Sequence, residues 1–580
     1  MALPVAPAGA RPGLQTAIQD DVSFIDKSPQ AIVAAMSQVR ALGIDRVRLS
    51  ASWSSLTWAR DSRVVPAFNP ADPAAYEQAR WSALDFAVRA AHDAGLKVMI
   101  DIAFWAPGWA GRGAEPRVRR DVNAYQFAEF AQAVARRYSG SFVAPSSQVT
   151  IPAPQGEPTP ENPAAGKTGG GSPLPGALPG PPGVPAPPPP AARAARKGHV
   201  ARGHAPRAGH AADAGSPDQN SASGAQAPGS PLPRVDMFTL WNEPNHPAFL
   251  MPQWKGRRGA RTPASPRVYR PMVVLGYSAI KAVQPDATVL IGNTSSFGGR
   301  GPPDPVAPLK FLRTLACVNG RLRPLHTHDC ARFHMLPGDG WAQHPYSLTG
   351  TPAKKADPQH PDNIYMGNLS ALAHTLDRLV AMRRLAPGLR SIYITEYGYE
   401  THRLKDRPAL SPVKQARYLT WGEYLASRIP NVKLFSQFLL RDQPPSAAVQ
   451  SDSPRRPHGQ FYSGLEYANG TPKLALRTFV AGLFAARESS HAILLWGRLR
   501  LGSQSFKVVI EHRSRRGRWR RVATSPRPGG PARIAFALAG QDSFQRYTAG
   551  HGGGLYRLRY RAPGRGWVKG FPVPPVARAG

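Results

Sequence analysis

The sequence has little of three things: cysteine, acidic residues and long apolar runs. Only two cysteines occur among 580 residues, which excludes a disulfide-dense scaffold. Asp and Glu number 36 against 73 for Lys and Arg, a formal net charge of +37, so an anionic partner has to be considered. No uninterrupted apolar run reaches the roughly 18 residues that a membrane-spanning helix needs. We therefore expect no transmembrane segment.

The positive charge by itself is weak evidence for nucleic-acid binding. Arginine replaces lysine throughout, and the heavy use of Ala, Gly, Pro and Arg over the whole chain is typical of a codon bias. No helix-turn-helix, zinc-finger or RNA-binding signature is present. We predict no nucleic-acid partner.

The two cysteines predict one local disulfide. Cys317 and Cys330 flank an arginine-rich loop, which suits a single bridge in an exported protein. The alternative is a metal site formed by a cysteine together with His326, His328 and His334, although no paired CxxC motif supports it. We expect an extracellular or cell-envelope location. The stretch MALPVAPAGARPG does not add support for it, because this stretch does not match a secretory signal peptide.

A long irregular stretch divides the chain. Residues 143–234 contain no aromatic side chain and are dominated by Pro, Gly, Ala and Ser. Such a segment cannot bury enough apolar surface to offset its ordering entropy, so it is predicted to be a disordered insertion. Its basic part, AARAARKGHVARGHAPRAGH, leaves contact with an anionic polymer as an alternative to a solvated linker.

Residues 14–485, apart from this insertion, alternate between short apolar runs and runs with helical spacing. The strands are predicted in LQTAIQDD, RVRLSASW, LKVMIDIAFW, VDMFTLWNEPN, ATVLIGNTSS, GWAQHPYSL, SIYITEYGYET and VKLFSQFLLRD. Strands that are apolar throughout are parallel and covered by helices. Eight such units predict a (β/α)8 barrel in which the insertion lies between the third helix and the fourth strand, away from the catalytic face and dispensable for catalysis.

Residues 489–580 change in character, with short β-rich runs separated by Gly, Pro and Ser. This pattern predicts a small β-sandwich. Its aromatic residues could bind sugar, but Trp496 and Trp519 fall within strand-like runs, which favours a domain that packs against the barrel.

Two glutamates end predicted strands of the barrel. Glu243, in LWNEPNHP, ends the fourth strand, and Glu396, in SIYITEYGYE, ends the seventh. Facing carboxyls at a barrel mouth suit glycoside cleavage, in which one protonates the leaving oxygen and the other attacks the sugar carbon or activates water. The alternative is that both glutamates have only a structural role and form salt bridges at the strand ends.

WNEPN and TEYG at these two strand ends resemble the clan of retaining (β/α)8 glycoside hydrolases that includes cellulase-like family five and xylosidase-like family thirty-nine. The resemblance covers the barrel but neither the insertion nor the C-terminal region. It implies that Glu243 is the acid/base and Glu396 the nucleophile. It also implies that Asn242 hydrogen-bonds the 2-hydroxyl of the sugar next to the cleaved bond.

The resemblance implies three further positions. Tyr346, in HPYS, matches a tyrosine that hydrogen-bonds the nucleophile, and His344 matches a polar residue of a sugar subsite. Arg48 matches an arginine beside the nucleophile. Such a cation lowers the pKa of Glu396, whereas a less polar setting raises that of Glu243.

The sugar-binding floor departs from the clan's pattern. The clan commonly has a tryptophan near the end of the eighth strand, where this chain reads FSQFLLRDQ, so Gln437, Phe438, Asp442 or a loop aromatic must serve instead. Other stacking candidates are aromatic residues after the second and third strands, each of which could equally pack in the core: Trp53, Trp105 and Trp109.

The sequence therefore predicts a monomeric retaining O-glycosidase acting on a poly- or oligosaccharide, with no metal or organic cofactor. A transglycosylase sharing every catalytic residue is the nearest alternative. An inactive barrel that binds glycans at the cell envelope is the alternative from another class.

Overall fold

Eight parallel strands form the centre of the protein in a computed structural model, which describes residues 14–112, 117–145, 229–403, 408–444, 461–502, 504–550 and 553–577. They are β1 Gln15–Gln19, β2 Arg46–Ser52, β3 Lys97–Ala103, β4 Met237–Leu240, β5 Thr288–Thr294, β6 Gly340–Gln343, β7 Ile392–Ile394 and β8 Val432–Phe438. Each strand pairs with its neighbours in sequence, and β1 pairs with β8 to close the barrel. The predicted (β/α)8 fold is confirmed.

A helix follows every strand. The eight are α1 Pro29–Ala41, α2 Gln78–Asp93, α3 Ala124–Arg137, α4 Ser265–Lys281, α5 Pro308–Leu315, α6 Leu369–Ala381, α7 Pro412–Ser427 and α8 Leu474–Val480. Helices α1 and α7 begin with Ser-Pro, and in each the serine hydroxyl accepts a backbone N–H of the first turn. Short local signals therefore set where these helices begin.

The barrel interior changes from apolar to polar toward the carboxyl ends of its strands. Its apolar layer contains Ala17, Met99, Met237, Leu290, Ala342 and Leu434. Closer to the mouth, the buried side chains are instead polar or charged: Arg48, Asp101, Asn293, Gln343 and Thr395. Because buried polar groups need partners, this layer must be a hydrogen-bonded network.

The predicted insertion is described only at its two ends, since residues 146–228 lie outside the described ranges. Leu232 is buried, and its N–H donates to the carbonyl of Phe142 at 2.8 Å. The described ends join α3 to the start of β4. These described ends therefore lie at the side of the barrel opposite the carboxyl ends of the strands.

The C-terminal region is a two-sheet β-sandwich. Its strands are β9 Ala481–Arg487, β10 Ala492–Leu499, β11 Ser505–Arg513, β12 Arg520–Val522, β13 Ala535–Ala539, β14 Ser543–Ala549, β15 Leu555–Arg561 and β16 Val568–Lys569. The first sheet has the order β9-β10-β14, and the second contains β12-β11-β15-β16 with β13 also paired to β11. Apolar side chains of both sheets form the core between them.

Strands β9 and β10 of the first sandwich sheet are buried on both faces. Alternate residues Leu483 and Leu495 face the second sheet, whereas Phe484 and Trp496 belong to the barrel's core. The Phe484 ring stacks on Tyr424 of α7 at 4.6 Å between centroids. Strand β9 starts at Ala481, whereas the sequence suggested that the barrel extends to residue 485; pairing with β10 and this packing override the helical tendency of an alanine-rich run.

A disulfide joins Cys317 and Cys330, whose Cα atoms are 5.7 Å apart, in the segment between α5 and β6. With both sulfurs bonded to each other, neither is a thiolate ligand for a metal beside His326, His328 and His334. In the described part of the chain, no helix combines the length and apolarity needed to cross a bilayer.

A buried ion-pair cluster joins α7 to the sandwich. Glu423 Oε1 accepts from Arg498 at 2.8 Å and from Arg500 at 2.6 Å. Burial alone would raise the pKa of Glu423, but the two guanidinium groups lower it below its usual value. Glu423 is therefore ionised, and the cluster stabilises the fold, at any pH above the usual pKa of glutamate. This contribution is lost as the pH falls through the lowered pKa of Glu423.

We expect Glu423→Gln to reduce the free energy of unfolding by about 3 kcal/mol, because it leaves the buried guanidinium of Arg500 and the partly buried one of Arg498 without a counter-ion. Thermal unfolding at neutral pH measures this. The control is Glu77→Gln, which removes the exposed partner of Arg80 and should cost less than about 1 kcal/mol. Equal midpoints for the two variants would contradict the structural role of Glu423.

Candidate active site

The carboxyl ends of β4, β6 and β7 bring Glu243, His344, Tyr346 and Glu396 together. Strand β4 ends at Leu240, after which Trp241 and Glu243 take positive φ angles of 66° and 38°. The Trp241 indole is buried and donates to the carbonyl of Phe249 at 3.2 Å. This tight turn directs one side chain into the core and leaves Glu243 at the mouth, a strained backbone of the kind found at functional sites.

The fully buried guanidinium of Arg48 connects the ends of several strands. It donates to Glu396 Oε1 at 2.6 Å, to Asp101 Oδ2 at 2.7 Å and to Asn242 Oδ1 at 3.0 Å. It also donates to the side-chain oxygen of Gln19. Arg48 thus places one positive charge between Glu396 and Asp101 and fixes the position of Asn242.

The two glutamates lie close together. One oxygen of each, together with a ring nitrogen of His344, lies within 4.8 Å of the others. His344 Nδ1 is 2.9 Å from Glu243 Oε1 and 3.5 Å from Glu396 Oε2. The Tyr346 hydroxyl donates to Glu396 Oε2 at 3.0 Å. Both carboxyl side chains keep a small exposed fraction, 14% for Glu243 and 11% for Glu396, so small molecules can reach them.

Asn293, at the end of β5, determines the protonation of His344. Its amide nitrogen donates to the carbonyl of Trp241 at 2.9 Å, which establishes which end of the amide is oxygen. That oxygen accepts from the Thr395 hydroxyl at 2.8 Å and lies 3.0 Å from His344 Nε2. Nε2 must therefore carry a hydrogen. Because burial lowers the pKa of His344, the ring is neutral and its Nδ1 is an acceptor.

A neutral His344 requires the proton of the Glu243–His344 hydrogen bond to reside on Glu243. Burial raises the pKa of Glu243, His344 opposes that rise, and the negative charge of Glu396 adds to it, so that the net shift is upward. At Glu396, burial also raises the pKa, but Arg48 and Tyr346 oppose it. The site thus favours an acid at Glu243 and an anion at Glu396.

The sequence predicted that Arg48 lowers the pKa of Glu396, and the guanidinium acts in that direction. The net shift of the Glu396 pKa is nevertheless upward, because desolvation outweighs the guanidinium. Arg48 also has to serve Asp101, whose pKa burial raises to about 6. A single cation shared between two buried carboxyls cannot offset the burial of both.

No protein-family model matches the chain, and no curated protein matches it. Several solved structures are similar. A family 39 glycoside hydrolase from the gut symbiont Bacteroides cellulosilyticus WH2 is 12% identical, with 93% of this chain and 81% of that chain covered and a TM-score of 0.45. A glucosidase from Croceicoccus marinus is 10% identical, with 94% and 97% covered and a TM-score of 0.42.

An endo-β-1,4-mannanase from Thermotoga petrophila is 11% identical, with 97% of both chains covered and a TM-score of 0.37. All three TM-scores lie below 0.5, so these likenesses assign no family to the chain.

Asn242 presents a hydrogen-bond donor at the mouth. Its oxygen accepts from Arg48 and Asn293, which turns its amide nitrogen away from both. Within the described ranges that nitrogen has no protein partner and is not among the fully enclosed polar atoms. It is therefore available to a hydroxyl group of a bound molecule.

Phe438 is the aromatic residue at the end of β8. It is half-buried, edge-on to Tyr346 at 6.4 Å and to Phe461 at 5.2 Å between centroids. The other two candidates are engaged elsewhere. Gln437 is buried and donates to backbone carbonyls, and Asp442 pairs with Lys473 at 2.6 Å. Phe438 is therefore the one of these three residues that is left to contact a sugar, through a partly exposed ring beside Tyr346.

The loop tryptophans are mostly packing residues. Trp53 is completely buried and stacks on Phe130 at 5.5 Å. Trp109 is 6% exposed and lies edge-on to Trp53 at 5.8 Å. Trp105 lies outside the main core cluster, and its indole donates to the carbonyl of Ala248 at 3.1 Å. Core packing, the alternative that the sequence left open, accounts for Trp53 and Trp109.

Glu243, His344 and Glu396 are also the group within the described ranges whose donor atoms could together hold a metal ion. A cation there would lie beside Arg48, which already neutralises Glu396 at 2.6 Å. The like charge of the guanidinium disfavours a second cation at this position. The arrangement suits proton transfer and nucleophilic attack better than metal binding.

The sequence did not single out Asn293, Gln19 or Asp101, although all three complete the network around the glutamates. Gln19 ends β1, Asn293 is the next-to-last residue of β5, and Asp101 lies within β3. A polar residue inside or at the end of an otherwise apolar strand was the available signal.

We expect His344 to be neutral at pH 7, with its hydrogen on Nε2, because burial and Asn293 favour that form. Nitrogen NMR of histidine-labelled protein measures the tautomer, and loss of one signal in His344→Gln assigns it. A doubly protonated ring at pH 7, or a hydrogen on Nδ1, would contradict the proposed direction of the Glu243–His344 hydrogen bond.

Proposed function

We propose that the protein is a retaining O-glycosidase that acts on a poly- or oligosaccharide. The approach of one oxygen of Glu243 and one of Glu396 to within 4.8 Å is the observation that supports it most strongly. Retaining enzymes need carboxyls about 5 Å apart, whereas inverting ones need about 6.5–9.5 Å to admit a water molecule.

In the first step, Glu396 attacks the anomeric carbon and the bond from that carbon to the leaving oxygen breaks. Glu243 transfers its proton to the departing oxygen. The carboxylate of Glu396 becomes an ester of the sugar, and Glu243 becomes an anion. The approach of Arg48 and Tyr346 to Glu396 supports this role, because both groups hold the carboxylate in a fixed orientation for attack.

In the second step, water attacks the same carbon from the side on which the leaving group departed. Glu243 accepts the proton of the water, the ester bond to Glu396 breaks, and the sugar leaves with its original configuration. We propose that Asn242 binds the 2-hydroxyl and that Phe438 forms the floor beneath the ring.

We also propose an extracellular or cell-envelope location, because the Cys317–Cys330 disulfide suits an oxidising compartment. Immunodetection in the culture supernatant, envelope and cytosol fractions tests this. Detection confined to the cytosol would contradict it.

We expect 2-deoxy-2-fluoro glycosides with activated leaving groups to label Glu396. The fluorine slows both steps, but a good leaving group speeds the first, so the ester forms faster than it is hydrolysed and accumulates. Intact mass and peptide mapping after exposure to a panel of such sugars would show a sugar-sized increase at Glu396 and identify one accepted sugar.

The matched controls are Glu396→Gln, which should not label, and Glu243→Ala, which should still label when the leaving group needs no protonation. Turnover without labelling by any sugar would count against retention. Glycan binding without turnover would favour the inactive binding protein instead.

We expect Glu243→Ala to lower kcat about 10²- to 10⁴-fold on substrates with poor leaving groups and much less on activated aryl glycosides. Activity needs Glu243 protonated, so its raised pKa should place the basic limb of kcat/KM above the usual glutamate value of about 4.3. The variant should lose that limb on activated substrates. A basic limb unchanged in Glu243→Ala would assign the acid to another group.

A further inference from the structure

The outer face of the second sandwich sheet is strongly basic. Its inner face contributes Phe506, Val508 and Ile510 to the sandwich core. Strand pairing brings the alternate residues of the other face into register, Lys507 opposite Arg561 and Glu511 opposite both Arg557 and Arg521. We call this surface the basic face, and its cations are Lys507, Arg513, Arg521, Arg557, Arg559, Arg561 and Lys569.

This concentration of charge exceeds the background of the chain. The whole sequence has about two cations for each acid, 73 against 36. Residues 505–577 contain fifteen lysines and arginines but only two acids, Glu511 and Asp542. A uniform arginine bias explains the many cations but not the scarcity of carboxylates.

Two tryptophans and Glu511 hold part of the basic face in place. Arg557 and Arg559 donate to the two oxygens of Glu511, each at 2.8 Å. The Arg557 guanidinium lies 4.0 Å from the Trp519 ring centre, and Arg559 lies 5.2 Å from that of Trp567. The arginines are therefore positioned by packing and cation–π contacts rather than free in solvent.

An open groove of about 900 Å³ lies at one end of the basic face. Its walls include the exposed cations Lys507, Arg533, Arg561 and Arg565, and small residues, Ala535 and Ala537, form part of its floor. Within the described ranges no carboxylate forms an ion pair with any of these four cations. Their charge is therefore available to an external anion.

We propose that this groove and the adjoining basic face bind an anionic glycan chain, one whose sugars carry carboxylate, sulfate or phosphate groups. Charge complementarity supports an anion. The groove has the volume of a site for a molecule of a few rings. Side chains on one face of a strand repeat every ~6.6–7 Å, so cations at this spacing can pair with regularly spaced anionic groups along an extended chain. That the anion is a glycan rests on the proposed glycosidase function.

Other polyanions fit the surface less well. Single-stranded nucleic acid is bound largely by bases stacking on aromatic rings, but guanidinium groups already lie over Trp519 and Trp567. A duplex or a flat bilayer cannot enter a groove of this size. A single glycan chain can.

The test uses the full chain with Glu396→Gln, so that binding is measured without cleavage. The probe is polygalacturonate, a linear polyuronate, with dextran as the neutral glycan. The groove variant changes Lys507, Arg561 and Arg565 to Gln, and a matched control changes three exposed barrel cations to Gln: Arg40, Lys414 and Lys433. Binding is measured by calorimetry at low and at physiological salt.

We expect polygalacturonate but not dextran to bind, with affinity that falls as salt rises. The groove variant should bind about tenfold or more weakly, and the control should bind within about twofold of the parent, because it loses the same charge elsewhere. An equal loss of affinity in both variants would show that binding depends only on net charge, which would overturn the inference. Tighter binding of poly(U) RNA or phosphatidylglycerol vesicles than of polygalacturonate would also overturn it.

Failure here and failure of the proposed function are distinguishable. A protein that labels at Glu396 but does not bind polygalacturonate retains the glycosidase proposal and loses this one. Binding at the groove by a protein that cleaves no glycoside leaves the binding site standing without the enzyme.

Discussion

The mouth of the barrel depends on one buried cation. Arg48 has no contact with solvent and is bonded to Glu396, Asp101, Asn242 and Gln19. These partners belong to four different strands or strand ends, so the guanidinium fixes their separation as well as their charge. Without it, the carboxyls of Glu396 and Asp101 would be buried with no counter-ion, which is far more costly than leaving either in water. The geometry of the two glutamates follows from this constraint.

Much of this arrangement could be predicted because parallel strands place their carboxyl ends on one side. Once the barrel was inferred from eight apolar runs, Glu243 and Glu396 had to share a mouth. The part played by Asn293 could not be predicted in the same way, because it depends on which atom of an amide faces a carbonyl. The upward pKa shift of Glu396 was missed because desolvation depends on the depth of burial, and a sequence shows only that a cation is available.

Aromatic residues show the same limit. Trp53 and Trp109 follow barrel strands, as sugar-stacking residues do, yet the turns after those strands direct them into the core. Phe438 keeps a partly exposed ring beside Tyr346. Strand position predicts which end of the barrel a ring occupies, but the loop that follows decides which way the ring faces.

Strands β9 and β10 of the first sandwich sheet have no face left for solvent. One side belongs to the barrel's core through Phe484 and Trp496, and the other to the sandwich core through Leu483 and Leu495. Neither half of this region could be separated from the other without exposing an apolar surface to water. A sandwich moved to another protein without the barrel would expose the face that carries Phe484 and Trp496, so the sandwich is not an independent module.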